Sequence, residues 1–343
     1  MATVKSIAAA VGVSPSVVSA VLNGSRHVRM SDATRAKILQ AVEEMGYTAN
    51  LAARALRTSR TGVLAVVAPK LSNPVFAPML DGIHDAAEEN GYAVMLAEAM
   101  RLVDGSRALE RILGQGQVDG TILRPSSDVD SEGVRSVFKR EAPILVLDEV
   151  PETDQPWLAI DDVAAGRVAT EHLLEQGHTR IGFLGGWFDA HQSFRPREGF
   201  RHAGRRRLEG YQLALQSAGI DPRPEDVIES DYTARAGHEA VARLSGIRDR
   251  PTAFVVNNAT TSLGVVGGAI AAGLRVPEDL AVVAIHDIDV LEDMNPPITA
   301  VRIPMYELGH RGVTMVARAI EGEEMTSEVI ASPAPELIRR GSS

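Results

Sequence analysis

The chain has 343 residues, of which 45% are hydrophobic, and a formal net charge of −10. A chain of this length buries a sizeable core, so we expect two or three globular domains. It contains no cysteine, which excludes disulfides and thiolate metal sites and suits the reducing cytoplasm. No apolar run reaches the ~18 residues of a membrane span, and the first residues lack the pattern of a signal sequence, so we expect neither insertion nor export.

The charge is unevenly distributed along the chain. Residues 1–60 contain eight lysines and arginines against three acidic residues, a net charge of +5, so the rest of the chain carries −15. A basic head on an acidic body indicates a separate module that meets an anion such as nucleic acid. Chance clustering of surface charge is the alternative.

The first 46 residues predict three short helices. Thr3 caps the first helix, "VKSIAAAV", and Ser14 caps the second, "PSVVSAVLN", which has Pro15 at its first position. Ser31 caps the third, "DATRAKILQAVEEMG", and Gly46 ends it. The predicted buried stripe of that helix consists of Ala33, Ile38, Val42 and Met45. Two short helices braced by a third predict a helix-turn-helix whose second helix enters the major groove.

Residues 47–61, "YTANLAARALRTSRT", have too few apolar groups to bury themselves and read as a linker with helical propensity. From Gly62 onward, apolar runs alternate with helical stretches. The predicted strands are "GVLAVVA", "YAVMLA", "DGTILR", "PILVLD", "IGFLGG", "TAFVVNN", "LAVVAIHD" and "ITAVRI". The predicted helices cover 75–90, 105–116, 163–177, 207–219, 234–245 and 259–273. Such alternation predicts an α/β core of two doubly wound parallel-sheet subdomains with a cleft between them.

Several long motifs carry a resemblance to a known family. They include "TVKSIAAAVGVSPSVVSAVLNG", "GRVATEHLLEQGHTRIGFLGG", "RRLEGYQLAL", "GLRVPEDLAVVAIHD" and "PPITAVRIPMYELG". In this order they resemble the lactose/galactose repressor (LacI/GalR) family of bacterial transcriptional regulators. The resemblance implies a homodimer that binds an operator through a helix-turn-helix and a hinge helix, and a periplasmic-binding-protein-like core that senses a small molecule. Family tetramers use a leucine-heptad tail that is missing after "IRRGSS", so we expect a dimer.

The resemblance also implies the domain limits. The helix-turn-helix domain would span residues 1–46, and the hinge helix and linker 47–61. The N-terminal subdomain of the core would combine 62–161 with 303–331, and the C-terminal subdomain 162–302 with 332–343. The chain would cross three times between them.

The family's base-reading positions correspond here to Pro15, Ser16 and Ala20. Ala20 departs from the arginine or histidine found in the family and offers only a methyl group, so we expect this helix to make few direct contacts with base edges. Specificity would then depend on Ser16, on thymine methyl groups or on DNA shape. The positions expected to meet phosphates are Thr3, Ser14, Val17, Ser19, Asn23 and His27. The alternative is that the second helix only packs in the core.

The hinge helix is expected to contact DNA through Asn50, Ala53, Arg54 and Leu56. The segment "NLAARALR" is too short to hold a helix alone, so it should fold only when two copies pack in a minor groove. Leu56 matches the family leucine that wedges between base steps and kinks the duplex.

The resemblance places an effector between the two subdomains. Arg207 would donate two hydrogen bonds to a pair of ligand oxygens, Tyr232 would stack on a ring of the ligand, and Asn258 would bind the ligand through its side-chain amide. Asp148 and Phe76 would face them from the other subdomain. For each residue the alternative is a structural role at a sheet edge.

Two features depart from the family. His286 and Ala259 replace aspartates, and a histidine can donate a hydrogen bond or carry positive charge near neutral pH. The segment 187–207, which includes Trp187, is longer than the usual loop and holds six arginines and four aromatic residues. Such a loop at the cleft mouth would suit an anionic or ring-bearing ligand, whereas an exposed loop with no ligand role is the alternative.

The sequence therefore predicts a ligand-responsive transcriptional repressor that binds a palindromic operator as a homodimer. Its expected effector is a sugar or an acidic or phosphorylated sugar derivative. One alternative is the same DNA-binding regulator controlled by a protein corepressor, and another is a cytoplasmic solute-binding protein. No dinucleotide, P-loop, metal-ligand or nucleophile motif is present, so neither an enzyme nor a cofactor or metal is expected.

Replacing Leu56 by alanine tests the wedge. The variant should bind its operator substantially more weakly than the parent at the same salt concentration, because a methyl group cannot fill the opened base step. Fluorescence anisotropy measures the affinity, and thermal unfolding shows whether the core is unchanged. Equal operator affinities of variant and parent would refute the wedge.

Overall fold

The computed structural model describes residues 2–22, 30–47, 60–68, 71–98, 116–125, 142–151, 154–186, 200–244, 247 and 249–343. The chain forms two compact units, Met1–Thr61 and Gly62–Ser343. No single helix in the described ranges is long and apolar enough to cross a membrane. By length and composition alone, the bent pair Val4–Val11 and Pro15–Leu22 passes that test together.

The first unit contains the three expected helices, α1 (Val4–Val11), α2 (Pro15–Leu22) and α3 (Asp32–Glu44). Thr3 Oγ1 accepts a hydrogen bond from the Ser6 backbone N–H at 3.1 Å, and Ser6 Oγ accepts one from the Thr3 N–H at 2.8 Å. This capping box fixes the start of α1. The small core consists of Ile7, Ala8, Val18, Val21 and Ile38.

The predicted stripe of α3 is correct only in its middle. Ile38 is fully buried and Val42 is half-buried, whereas Ala33 and Met45 are exposed. Helices α1 and α2 have eight residues each, whereas α3 has thirteen, and only Ile38 of α3 is fully buried. Met45 also lies beyond the last helical residue, at the C-cap.

The second unit contains two six-stranded sheets, whose strands we number along the chain. The first sheet contains β1 (Val63–Ala68), β2 (Ala93–Glu98), β3 (Gly120–Leu123), β4 (Ile144–Leu147), β6 (Trp157–Ile160) and β13 (Glu328–Ile330). Its order is β13-β6-β4-β3-β1-β2, and all neighbours are parallel. A 3₁₀ turn, Pro74–Phe76, leads into α4 (Ala77–Glu89), which packs beside α9 (Met305–Ile320).

The second sheet contains β7 (Ile181–Leu184), β9 (Val227–Ile228), β10 (Ala253–Val256), β11 (Ala281–Ile285), β12 (Thr299–Arg302) and β14 (Glu336–Ile338). Its order is β14-β12-β11-β10-β7-β9, parallel except for the antiparallel pair of β12 and β14. Four helices accompany it, α5 (Asp162–Glu175), α6 (Ala203–Ser217), α7 (Ala234–Leu244) and α8 (Ala259–Ala271). We call the two sheets with their helices the first and second subdomains; their predicted residue limits stay a prediction.

The fold class is confirmed, and all eight predicted strands are present within one or two residues. Six described strands of the core were not predicted from apolar runs: β6, β9, β13, β14, β5 (Glu149–Pro151) and β8 (Phe200–His202). Strands β5 and β8 form a two-stranded antiparallel sheet of their own. Helix α6 begins at Ala203, four residues before the predicted start, so Arg206 and Arg207 lie in its first two turns. The predicted helix 105–116 lies almost wholly outside the described residues.

Glycines set the spacing of three helix pairs. In the contact of α5 with α6, a Cβ added to Gly166 would lie 2.0 Å from the backbone oxygen of Arg207, and one added to Gly210 would lie 2.0 Å from that of Val163. Reciprocal glycine contacts of the same kind join α4 to α9 and α7 to α8. The helix backbones touch at these crossings, which fixes where α6 carries Arg207.

Replacing Gly166 by alanine should destabilise the core by about 1–3 kcal/mol, because the new methyl group forces α5 away from α6. Gly267 is a matched control, since it lies inside α8 and a Cβ added there meets nothing within 4 Å. Alanine at position 267 should stabilise the helix by up to about 1 kcal/mol. Urea unfolding of both variants checks this, and equal effects at the two positions would contradict the tight crossing.

Candidate functional site

Polar and charged side chains meet at the carboxyl ends of the strands in both sheets. Arg124 follows β3 and Asp148 follows β4 in the first sheet, while Asn257 follows β10 and His286 follows β11 in the second. In open α/β sheets this end of the strands is where ligands bind. The cleft between the subdomains is therefore the candidate site.

A buried carboxylate, Asp162, organises the second subdomain's side of the cleft. It is the first residue of α5 and is completely buried. Its Oδ1 accepts a hydrogen bond from Arg207 Nε at 2.7 Å, and its Oδ2 accepts one from Arg206 Nη2. Burial raises the pKa of Asp162, but the cations of Arg207 and Arg206 oppose that shift. Hydrogen bonds from the two guanidinium groups to both oxygens favour the ionised form of the carboxyl.

Arg207 is held in a single orientation by its other contacts. Its Nη1 donates to the backbone oxygen of Asn257 at 3.0 Å and to Asn257 Oδ1 at 3.1 Å. Its Nη2 is buried and has no hydrogen-bond partner among the residues that the structure describes. The clamp of Asp162 and Asn257 thus leaves one guanidinium donor for a ligand.

Asp148 presents the complementary acceptor from the first subdomain. Its Oδ2 receives hydrogen bonds from Arg124 Nε at 3.1 Å and Arg124 Nη2 at 2.6 Å. Its Oδ1 is buried without a hydrogen-bond partner in the described ranges, and lies 4.0 Å from Arg206 Nη2. The Arg124 guanidinium also stacks on the ring of Phe76, 4.7 Å from its centroid, which is a cation–π contact.

Tyr232 lies on the second subdomain's side, in a left-handed backbone conformation with φ 63°. Its hydroxyl accepts a hydrogen bond from Asn257 Nδ2 at 3.4 Å. Burial raises the pKa of Tyr232 to about 12, so the phenol stays neutral and keeps its O–H donor at neutral pH.

His286 is buried and also has a positive φ, 72°. Burial, followed by the nearby cations of Arg207 and Arg124, lowers the pKa of His286 well below its ordinary value. The expectation that this histidine can carry charge near neutral pH is therefore wrong for the folded state. Its Nδ1 has no partner among the described residues, and the side chain lines a cavity of about 330 Å³ with Val75, Pro78 and Met305.

Asn258, the predicted ligand residue, caps a helix, whereas its neighbour Asn257 contacts Arg207. Asn258 Oδ1 accepts the Thr260 backbone N–H at 2.8 Å and caps α8. A ligand contact of Asn258 would therefore use its Nδ2 group, and that role stays a prediction. Ala259 is completely buried in the first turn of α8. Trp187 lies outside the described residues.

The second helix of the first unit presents small polar groups. Pro15 and Ser16 are exposed, and Val17, Ser19 and Ala20 are half-buried. Ser14 Oγ and Ser16 Oγ share a hydrogen bond of 2.8 Å, and Thr3 is exposed as the cap of α1. The other predicted DNA contacts lie outside the described residues: Asn23, His27, Asn50, Ala53, Arg54 and Leu56.

Comparison with known proteins identifies the family. The model of the bacterial regulatory proteins of the lacI family matches residues 3–50, and that of the periplasmic binding protein-like domain matches residues 170–343. Catabolite control protein A of Priestia megaterium is 32% identical over 333 residues, covering 96% of this chain and 96% of its own. The chain belongs to the LacI family.

Further relatives agree with this membership. The transcriptional repressor PurR of Vibrio vulnificus (strain CMCP6) is 29% identical over 343 residues, which are 99% of this chain and 98% of that protein. The solved complex of the transcriptional regulator CelR with cellobiose is 28% identical, has a TM-score of 0.71 and covers 100% of both chains. This LacI-family chain is accordingly a DNA-binding transcriptional regulator and not an enzyme.

Sequence reasoning missed half of the LacI-family chain's cleft. Arg207, Asp148, Tyr232, Phe76 and His286 were candidates, and the structure brings them into one polar cluster or its wall. The residues that position them were not candidates: Arg124, Glu149, Asp162, Arg206 and Asn257. The sequence shows the arginines at 205–207 and the aspartates at 161–162. It does not show that Arg206 and Arg207 bind Asp162, because that ion pair depends on the contact of α5 with α6.

Lowering the pH should destabilise the core through His286. The folded state holds His286 neutral, whereas the unfolded chain takes up a proton below its ordinary pKa of about 6.5, so stability is lost as the pH falls through that value. At about pH 5.5 this costs about 1.4 kcal/mol, a penalty that a His286→Gln variant does not have. His172 and His178, whose pKa values are also lowered by burial, cancel in this comparison.

Urea unfolding of parent and variant between about pH 7.5 and about pH 5.5 measures the difference. The stability of the parent relative to the variant should fall with pH. A constant difference would show that His286 titrates with its ordinary pKa in the folded state, and a parent that gains stability relative to the variant would show that the folded state holds it charged.

Proposed function

We propose that this LacI-family chain is a cytoplasmic repressor that binds a palindromic operator as a homodimer and responds to a neutral sugar in its cleft. The observation that supports the ligand is that one donor, Arg207 Nη2, and one acceptor, Asp148 Oδ1, are both buried without a hydrogen-bond partner among the described residues. The helix-turn-helix with its small-residue second helix supports the DNA function.

The charges of the cluster balance. Two buried guanidinium groups, those of Arg206 and Arg207, and the half-buried one of Arg124 accompany three buried carboxylates, those of Asp148, Glu149 and Asp162. Because His286 and Tyr232 are neutral, an entering anion meets no uncompensated cation among the described residues. Burying an unpaired phosphate or carboxylate there would cost several kcal/mol.

A hydroxyl group satisfies the cluster better than an anion does. Each sugar hydroxyl donates one hydrogen bond and accepts others, so neighbouring hydroxyls can serve Asp148 Oδ1 and Arg207 Nη2 at once. His286 Nδ1 is a further neutral polar atom that is buried without a hydrogen-bond partner among the described residues. The CelR relative, which was solved with cellobiose, supports the same ligand class.

The competing proposals are control by an acidic or phosphorylated sugar and control by a protein corepressor.

A ligand in the cleft would act by population shift. It would stabilise one arrangement of the two subdomains, and that arrangement would have its own affinity for the operator. A protein corepressor would leave the cleft's unpartnered atoms without a role.

Calorimetric titration of the full chain with a panel of neutral sugars, sugar phosphates and sugar acids tests the proposal. Neutral sugars should bind most tightly, and Arg207→Lys should weaken the best one by about tenfold or more, because lysine lacks the fork that Asp162 and Asn257 hold. Asp279→Asn is the matched control, since Asp279 pairs with Arg275 at the surface.

Two results would contradict the proposal. One is tighter binding of the phosphates or acids than of the neutral sugars. The other is the absence of binding by any neutral sugar together with a protein captured on the intact chain, which would favour the corepressor. In either case, selection of bound sequences from random DNA still tests the palindromic operator separately.

A further inference from the structure

The two-stranded sheet of β5 and β8 joins the two subdomains. Strand β5 comes directly after Asp148 at the end of β4, and β8 comes directly before α6, which carries Arg206 and Arg207. The strands are antiparallel, with Glu149 opposite His202, Val150 opposite Arg201 and Pro151 opposite Phe200. We call this pair of strands the cleft ribbon.

Side-chain bonds strengthen the cleft ribbon at its end nearest the ligand site. Glu149 Oε2 accepts a hydrogen bond from His202 Nδ1 at 3.1 Å and another from the Ala203 backbone N–H at 3.1 Å. The Glu149 side chain is only 5% exposed. Next to it, Arg206 Nη2 donates to the backbone oxygen of Asp148 at 3.1 Å. All of these bonds link one subdomain to the other, so the cleft opens here only if they break.

The cleft ribbon is adjacent in sequence to both ligand-binding groups of the proposed site. Asp148 precedes Glu149, and Arg207 follows Arg206. Any separation of β5 from β8 therefore moves the acceptor Asp148 Oδ1 away from the donor Arg207 Nη2. A second link, from Thr260 Oγ1 to Asn73 Oδ1 at 3.4 Å, also joins the two subdomains.

We propose that the cleft ribbon is a latch that holds the two subdomains closed before any ligand binds, and that ligand exchange requires it to part. The identity of the ligand rests on the proposed function, whereas the closure of the cleft by the ribbon does not. A ribbon of three residues per strand is marginal on its own, so Glu149 supplies the bonds that keep it formed. The latch also gives a role to the last residues of the long segment 187–207, which form β8 and the start of α6.

The absence of cysteine from the natural chain allows a direct test by cross-linking. In the full chain carrying V150C and R201C, the two positions oppose each other in an antiparallel pair, where Cα atoms are about 4.5–5.5 Å apart, within the range of a disulfide. The matched control is R302C with E336C, an opposing pair in the antiparallel strands β12 and β14 of one sheet. Mild oxidation without sugar or DNA, followed by mass analysis, gives the cross-linking rate.

The 150/201 pair should cross-link within about tenfold of the control rate, and adding Glu149→Ala to that pair should slow it by about tenfold by removing two charge-assisted bonds. Efficient control cross-linking without the 150/201 product would overturn the latch. An unchanged rate after Glu149→Ala would overturn the role of Glu149. Thermal unfolding confirms that each variant is folded. Since neither sugar nor DNA is present, a failure of the proposed function leaves this test unaffected.

Discussion

The cleft depends on one buried carboxylate, Asp162, shared between Arg206 and Arg207. Buried charges are costly to desolvate, and removing one partner from such a group costs about 3–5 kcal/mol, so the three side chains are tightly constrained together. Arg207 then keeps one guanidinium nitrogen without a hydrogen-bond partner among the described residues, and Arg206 donates to the Asp148 carbonyl. The proposed ligand contact and the contact between the subdomains are therefore made by adjacent residues.

The surrounding fold supplies the rigidity that this group needs. Asp162 begins α5 and both arginines lie near the start of α6, and these helices touch through Gly166 and Gly210. Parallel strands from both sheets end at the same cleft, which brings Asp148 and His286 to it from opposite sides. The site is thus built from helix starts and strand ends rather than from any one contiguous motif.

Most of the fold could be predicted from the chain, because continuous apolar strands and amphipathic helices have strong periodic signals. Short elements could not, since β5 and β8 have three residues each and depend on each other for pairing. Family resemblance located Arg207, Asp148 and His286. It could not show that Asp162 and Asn257 hold Arg207, or that His286 is neutral, because hydrogen-bond partners and burial are set by tertiary packing.

The most direct measurement compares the sugar affinity of two neighbouring variants, Asp162→Asn and Asp161→Asn, by calorimetry on the full chain. Asp161 only caps α5 through the Ala164 N–H, and asparagine caps equally well. Asp162→Asn should weaken binding of the best neutral sugar by about tenfold or more while operator binding without sugar persists, and Asp161→Asn should leave both affinities unchanged. Parent-like sugar affinity after Asp162→Asn would show that the buried carboxylate does not hold Arg207 in place for a ligand.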